Sequence, residues 1–139
     1  MTLELHATPE EVMRAVEAMR EHASAQGVPG KLLFGLALAL EECASNVVNH
    51  ALKRDAAKTF HVTFDRQGDV FFIELRDAGP AFDPTMTMVR RAQQEDDDLP
   101  GGWGVELIRR YTDALVYRRD RGENLLRLEK KMSAEGRAK

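Results

Sequence analysis

Three short stretches of the 139-residue chain bring together residue types that chemistry can use. In the first, Leu36 to Ala51 (LALALEECASNVVNHA), Glu42, Asn46, Asn49 and, just beyond, Lys53 recur at helical spacing and so share one helix face, opposite an apolar stripe of Leu36, Leu40, Cys43 and Val47. Asn is a poor helix former, and two of them beside a carboxylate are out of place in so apolar a segment. The pattern suits either a wet helix edge or a polar site built on a helix. In the second stretch, the alternation Phe71, Ile73, Leu75 continues to Asp77, which sends a carboxylate toward the interior just before Gly79 and Pro80. The same Asp equally suits the opening of a turn. In the third, Gly101-Gly102-Trp103-Gly104 precedes a helical pattern through Leu107, Ile108 and Tyr111. Glycines at a helix start let a ligand approach free backbone N–H groups, where the helix dipole favours an anion, although a tight turn would use them too.

The elements that must position these stretches are legible from periodicity. Leu3 and Leu5 alternate with polar neighbours as a short strand, and Thr8-Pro9-Glu10-Glu11 is a capping box with Pro at the first helical position. Val12, Ala15, Val16, Met19 and Ala23 then keep helical spacing as far as Gly27, and Pro29-Gly30 separates this helix from a second one that ends near Leu52. From Thr59 the period becomes two, with Phe60, Val62 and Phe64 on one face, a turn at Gln67-Gly68-Asp69, and a partner strand from Val70 to Arg76. The segment Pro84 to Pro100, with its acidic run Glu95 to Asp98, lacks periodicity and reads as a mobile loop. Ala114 to Arg118 and Asn124 to Lys130 form a closing hairpin with Leu126 and Leu128 facing in. The expected fold is α+β: a two-layer sandwich with a mixed, mostly antiparallel sheet of about five strands and two to three helices on one face. One domain is expected over residues 1–132, with a flexible tail over 133–139.

Composition narrows the function. A formal charge of −3 and a pI near 5.8 argue against a sequence-independent grip on nucleic acid, which needs a basic surface. Cys43 is the only cysteine, so the chain can form neither an internal disulfide nor a Cys-based zinc site, and Cys43 itself reads as a small buried hydrophobe. The N-terminus lacks a basic region followed by an apolar one, and the apolar stretch Leu32 to Leu40 is too short to span a bilayer. A cytoplasmic protein is expected.

Taken in order, Glu42 and Asn46 on a helix, Asp77 to Pro84 (DAGPAFDP) and Gly101 to Val105 (GGWGV) resemble the N box and the first and second glycine boxes of the GHKL ATPases, the Bergerat-fold family named for gyrase, Hsp90, histidine kinases and MutL. The short form is most similar to its anti-sigma-factor serine kinase branch, and the resemblance runs from the capped first helix to the last hairpin. It implies ATP and Mg²⁺ as cofactors, with Asn46 as the oxygen ligand of the metal and Glu42, one turn earlier, as the general base toward an attacking hydroxyl. It implies that Asp77 accepts a hydrogen bond from the adenine amino group, that Gly79 lets backbone approach the base, that Gly102 and Gly104 present N–H groups to phosphates, and that Pro84 to Pro100 is the ATP lid.

The chain also departs from the wider family. Pro80-Ala81 stands where many members have a further glycine, which stiffens the loop, while Phe82 and Asp83 still fit the serine-kinase branch. The strand threonine that contacts nucleotide in some relatives has no obvious counterpart in Asn124-Leu125-Leu126. The function implied is an ATP-dependent serine-protein kinase and anti-sigma factor of a bacterial partner-switching system, usually a homodimer, whose partners are a STAS-domain anti-anti-sigma protein and a sigma factor or other regulator. The alternative is a nucleotide-gated module that sequesters a regulator without phosphorylating it.

Overall fold

Alternating and helical hydrophobic patterns both emerge as read in a computed structural model, which describes residues 1–83 and 104–133. The elements are β1 (Thr2–His6), α1 (Pro9–Ala25), α2 (Gly30–Asn46), a π-helical turn (Val47–Ala51), β2 (Thr59–Gln67), β3 (Val70–Asp77), α3 (Gly104–Tyr111), β4 (Ala114–Asp120) and β5 (Glu123–Lys131). The described strands form one sheet in the order β1-β2-β3-β5-β4, and all four pairings are antiparallel. The loop Pro84 to Pro100, Gly102 and nearly all of the tail lie outside the described residues.

The core forms where period-two and helical faces meet. Phe60, Val62 and Phe64 of β2, Phe71, Ile73 and Leu75 of β3, and Leu126 and Leu128 of β5 are buried in one cluster with Val12, Met19 and Ala23 of α1, Leu36, Leu40 and Cys43 of α2, and Ile108 of α3. Each large side chain so buried contributes roughly 1.5–3 kcal/mol of transfer free energy. The other sheet face has fewer apolar positions. There Phe72 is covered by the Arg127 guanidinium, 4.2 Å from its ring centroid, and Arg127 is held by Glu74 and Glu129. The run Gly30–Ala51 is 22 residues long and apolar enough by length to cross a membrane, but 56% of its window is buried inside the fold, and it serves as the central core helix.

The capping box forms with one change of partner. Thr8 Oγ1 accepts from the Glu11 N–H at 3.3 Å, but the Glu11 carboxylate reaches past Thr8 to the N–H of His6 at 3.1 Å, so the box ties α1 back to β1. The Arg14 guanidinium beside it and that backbone bond lower the Glu11 carboxyl from its ordinary value to about 2. A depressed carboxyl stabilises the fold above its unfolded pKa and loses that contribution as pH falls through its folded value. The Tm deficit of Glu11→Gln, followed by thermal melts, is therefore expected to be constant near neutrality and to shrink as pH falls from about 4.5 to about 2. A deficit that persists undiminished at the acid end would assign the effect to packing.

Candidate functional site

Sheet register builds the floor of a cleft. Across β2, β3, β5 and β4 the residues Phe60, Asp77, Asn124 and Arg119 stand in one row, and Val62, Leu75, Leu126 and Tyr117 form the next inward-facing row. The register of the β4–β5 pair is set by a two-residue turn, Arg121-Gly122, with φ of 54° and 80°; such left-handed pairs match the twist of a tight hairpin. The cleft above these rows is lined by Leu75, Asp77, Tyr117, Asn124 and Leu126 from the sheet, by Cys43, Asn46 and Val47 from the helix, and by Phe82, and is narrow, with about 10 Å³ of free interior. Burial pushes the Cys43 thiol far above its ordinary range, so it meets the cleft as a neutral, unreactive group.

Asn46 and Asp77, 31 residues apart in sequence, thus share one cleft. Asp77 is only 4% exposed, and its Oδ1 accepts from the Gly79 N–H and from Asn124 Nδ2, both at 2.9 Å. The turn and the inward carboxylate are therefore one structure: the Asp that caps the turn does so with one oxygen from inside the cleft. Gly79 is required there by close approach, since a Cβ would lie 2.6 Å from the Ala51 carbonyl oxygen and 3.0 Å from Asp77 Oδ1. Glu42 is half-buried one helical turn before Asn46 and outside the lining of this cleft, and Gly104 opens α3.

Two features differ from the sequence reading. Asn49 does not extend the Glu42–Asn46 face, because the helix widens after Asn46 into a π-helical turn closed by Leu52 N–H to the Val47 carbonyl at 2.8 Å. The extra residue per turn rotates Asn49 outward, where it accepts from Arg54 Nε at 3.0 Å, and stacks His50 on Phe82 at 5.4 Å. Lys53 has left the helix altogether, with φ of 56°. The second is Asn124, in the segment where the nucleotide-contacting threonine of some relatives has no obvious counterpart: it sits directly beside Asp77. Its inward parity with Leu126 and Leu128 was the available signal, by the same reasoning that marked Asp77.

Gly35 is a further residue that periodicity alone did not mark. A Cβ there would lie 2.3 Å from Cδ1 and 2.9 Å from Cβ of Tyr111, so the missing side chain is what lets α3 rest on α2. Phe34 completes the contact, edge-on to Tyr111 at 6.4 Å. Because the clash reaches Tyr111 Cβ, ring rotation cannot relieve it. Gly35→Ala is expected to destabilise the protein by about 1–3 kcal/mol, read as a lowered Tm; an unchanged Tm would show that α3 shifts without cost.

The sequence and fold can be set beside known proteins. The model of the histidine kinase-like ATPase domain matches residues 5–130. The serine/threonine-protein kinase BtrW of Bordetella bronchiseptica is 32% identical over 128 residues, which span 91% of this chain and 90% of that protein. Among solved structures, the SiaB–SiaC complex from Pseudomonas aeruginosa includes a chain that superposes with a TM-score of 0.61 at 13% identity, covering 94% of this chain and 88% of that one. The histidine kinase domain from the blue-light activated histidine kinase of Erythrobacter litoralis EL346 gives a TM-score of 0.53 at 18% identity, covering 90% of this chain and 61% of that one. At such identities the two structural likenesses speak for the fold.

Proposed function

This chain belongs to the histidine kinase-like ATPase domain family, and from that membership we propose that it is a protein serine kinase that uses ATP and Mg²⁺. Its substrate, in this reading, is a STAS-domain antagonist, and its second partner is a sigma factor or comparable regulator that it holds inactive while the antagonist is phosphorylated. The similarity to a serine/threonine-protein kinase along almost the whole chain supports the enzyme class. A homodimer is proposed on the resemblance to the anti-sigma-factor kinases.

The observation that carries the reading is the joint placement of Asp77 and Asn46 in one cleft. The fit to an adenine nucleotide is chemical. Val47, Leu75, Leu126 and Phe82 supply apolar walls for a flat base, and Asp77 supplies a buried acceptor at the end where an exocyclic amino group would sit. Asn46 supplies a hard amide oxygen at the wall, the kind of single protein ligand that Mg²⁺ accepts when phosphates and water complete its shell. ATP, when bound with Mg²⁺, supplies the γ-phosphoryl group with its charge partly neutralised.

The chain's own residues would do the rest. Glu42, one turn from Asn46, would take the proton of the attacking serine hydroxyl as its oxygen bonds to the γ-phosphorus and the bond to the β,γ-bridging oxygen breaks. Gly79 keeps backbone close to the base, and the N–H groups of Gly102 and Gly104 would meet the phosphates at the start of α3.

Calorimetry with MgATP, run beside transfer of radiolabelled phosphate to the antagonist from the same host, tests the proposal. The expected result is saturable ATP binding and label on an antagonist serine. Binding without transfer would instead assign the chain to nucleotide-gated sequestration, and absence of binding would overturn the site itself.

A further inference from the structure

We propose that Asn124 is a positioning residue that presets Asp77 and the loop of residues 79–82 for the base, and that Tyr117 and Arg119 lock its amide in the one orientation that does so. The inference rests on the nucleotide-binding reading above and concerns how selectivity for an amino-bearing purine is built into this chain.

The side-chain amide of Asn124 is 4% exposed as a residue and engaged on both ends. Its Oδ1 accepts from the Phe82 N–H at 3.1 Å, from Tyr117 Oη at 2.5 Å and from an Arg119 Nη at 3.1 Å. Its Nδ2 donates to Asp77 Oδ1 and to the Pro80 carbonyl, both at 2.9 Å. A flipped amide would turn its N–H groups toward two obligate donors, the Phe82 N–H and Arg119, and its oxygen toward two acceptors, so the orientation is determined by the surrounding chemistry. Arg119 also donates to the Gly79 carbonyl at 2.8 Å. Gly79, Pro80 and Phe82 are thereby stapled to β4 and β5 by one amide and one guanidinium.

The consequence falls on Asp77. On Oδ1 the Gly79 N–H and Asn124 Nδ2 both donate, whereas Oδ2 accepts from none of the described residues. Oδ2 is then the oxygen left to accept from a base, with the plane of the carboxylate set in advance. Preorganisation of this kind lowers the cost of binding, because the acceptor does not have to be ordered by the ligand. It also selects: an amino group donates to Oδ2, whereas a purine carbonyl at the same place meets it acceptor to acceptor.

Asn124→Asp separates positioning from packing, because it is isosteric. It retains the oxygen that accepts from Phe82, Tyr117 and Arg119 and changes only the donor that faces Asp77 and Pro80. Two carboxyls at hydrogen-bond distance share a proton. At pH 8 the introduced group would repel Asp77, while at mildly acidic pH, protonated, it can donate as the amide did. The other charged or titratable groups around this carboxylate are Arg119 and Tyr117 from β4 and Cys43 from α2, with His50 stacked on Phe82; β2 presents Phe60.

The test is calorimetric titration of ATP and of inosine triphosphate, which lacks the amino group, into the full chain at pH 8 and pH 5.5. Relative to wild type at the same pH, Asn124→Asp is expected to bind ATP about 10- to 100-fold more weakly at pH 8, with its preference over inosine triphosphate lost, and to regain much of both at pH 5.5. Tyr117→Phe, which removes one hydroxyl, is expected to cost about 2- to 10-fold in ATP affinity with inosine triphosphate little affected. Should Asn124→Asp lose both nucleotides equally at both pH values, or match wild type throughout, Asn124 does not position the reader. Tyr117→Phe with unchanged ATP affinity would overturn the lock even if the first variant failed to fold. A wild-type chain that binds no ATP would instead bring down the nucleotide site and this inference with it.

Discussion

Glu42→Gln is expected to bind MgATP and its protein partner close to normally while transferring phosphate more slowly by a factor on the order of 10²–10⁴. The expectation follows from position. Glu42 stands one helical turn from Asn46 but outside the lining of the cleft that Asn46 and Asp77 share, so an amide in its place leaves base and metal contacts untouched. What the amide cannot do is take a proton. Asn46→Ala should fail in the other way, because it removes a hard oxygen from the cleft wall: Mg²⁺-dependent affinity for ATP should fall, and at saturating nucleotide the transfer step should recover in part. The two assays, nucleotide binding and single-turnover transfer of labelled phosphate, resolve the pair. If Glu42→Gln transfers phosphate at the wild-type rate, the carboxylate is a helix-surface residue and the base lies elsewhere.

Asp77→Asn should weaken ATP binding about 10- to 100-fold, since a hydrogen bond to a charged group is worth roughly 1.5–3 kcal/mol. The fold should survive. The Asn oxygen can accept from the Gly79 N–H and from Asn124 Nδ2 as Asp77 Oδ1 does now, which leaves its NH₂ facing the ligand. A donor would then meet the adenine amino group, also a donor, and the discrimination against inosine triphosphate should shrink with the affinity. Calorimetry on a variant whose melting temperature is near that of wild type decides the matter. Unchanged affinity would reduce Asp77 to the turn residue that its neighbours Gly79 and Pro80 also suggest.

Much of this site could be read from the chain because it depends on local periodicity. The parity of Phe71, Ile73, Leu75 and Asp77 along β3 determines that a carboxylate faces inward, since side chains alternate strictly across a strand. Residues four apart on a helix lie on one face, so Glu42 and Asn46 were a pair before any fold was known. The strands, the hairpin turns and the apolar stripes of α1 and α2 follow from the same two periods; strand direction does not, and where a mixed sheet was expected all four described pairings are antiparallel.

What only the tertiary structure decided depends on contacts between segments far apart in sequence. Periodicity assumes a regular α-helix, so it carried Asn49 along the face of Glu42; the π-helical turn at Val47–Ala51 turned that residue toward Arg54 and His50 toward Phe82. Gly35 needs to be glycine because Tyr111 lies on it, a requirement set by a helix about seventy-five residues later. Asn124 is an ordinary polar residue at a strand start until antiparallel register puts it opposite Asp77 on one side and Arg119 on the other. Local pattern determines which way a side chain points, whereas register and packing determine what it meets, and the hydrogen-bonded network around Asp77 is made of meetings.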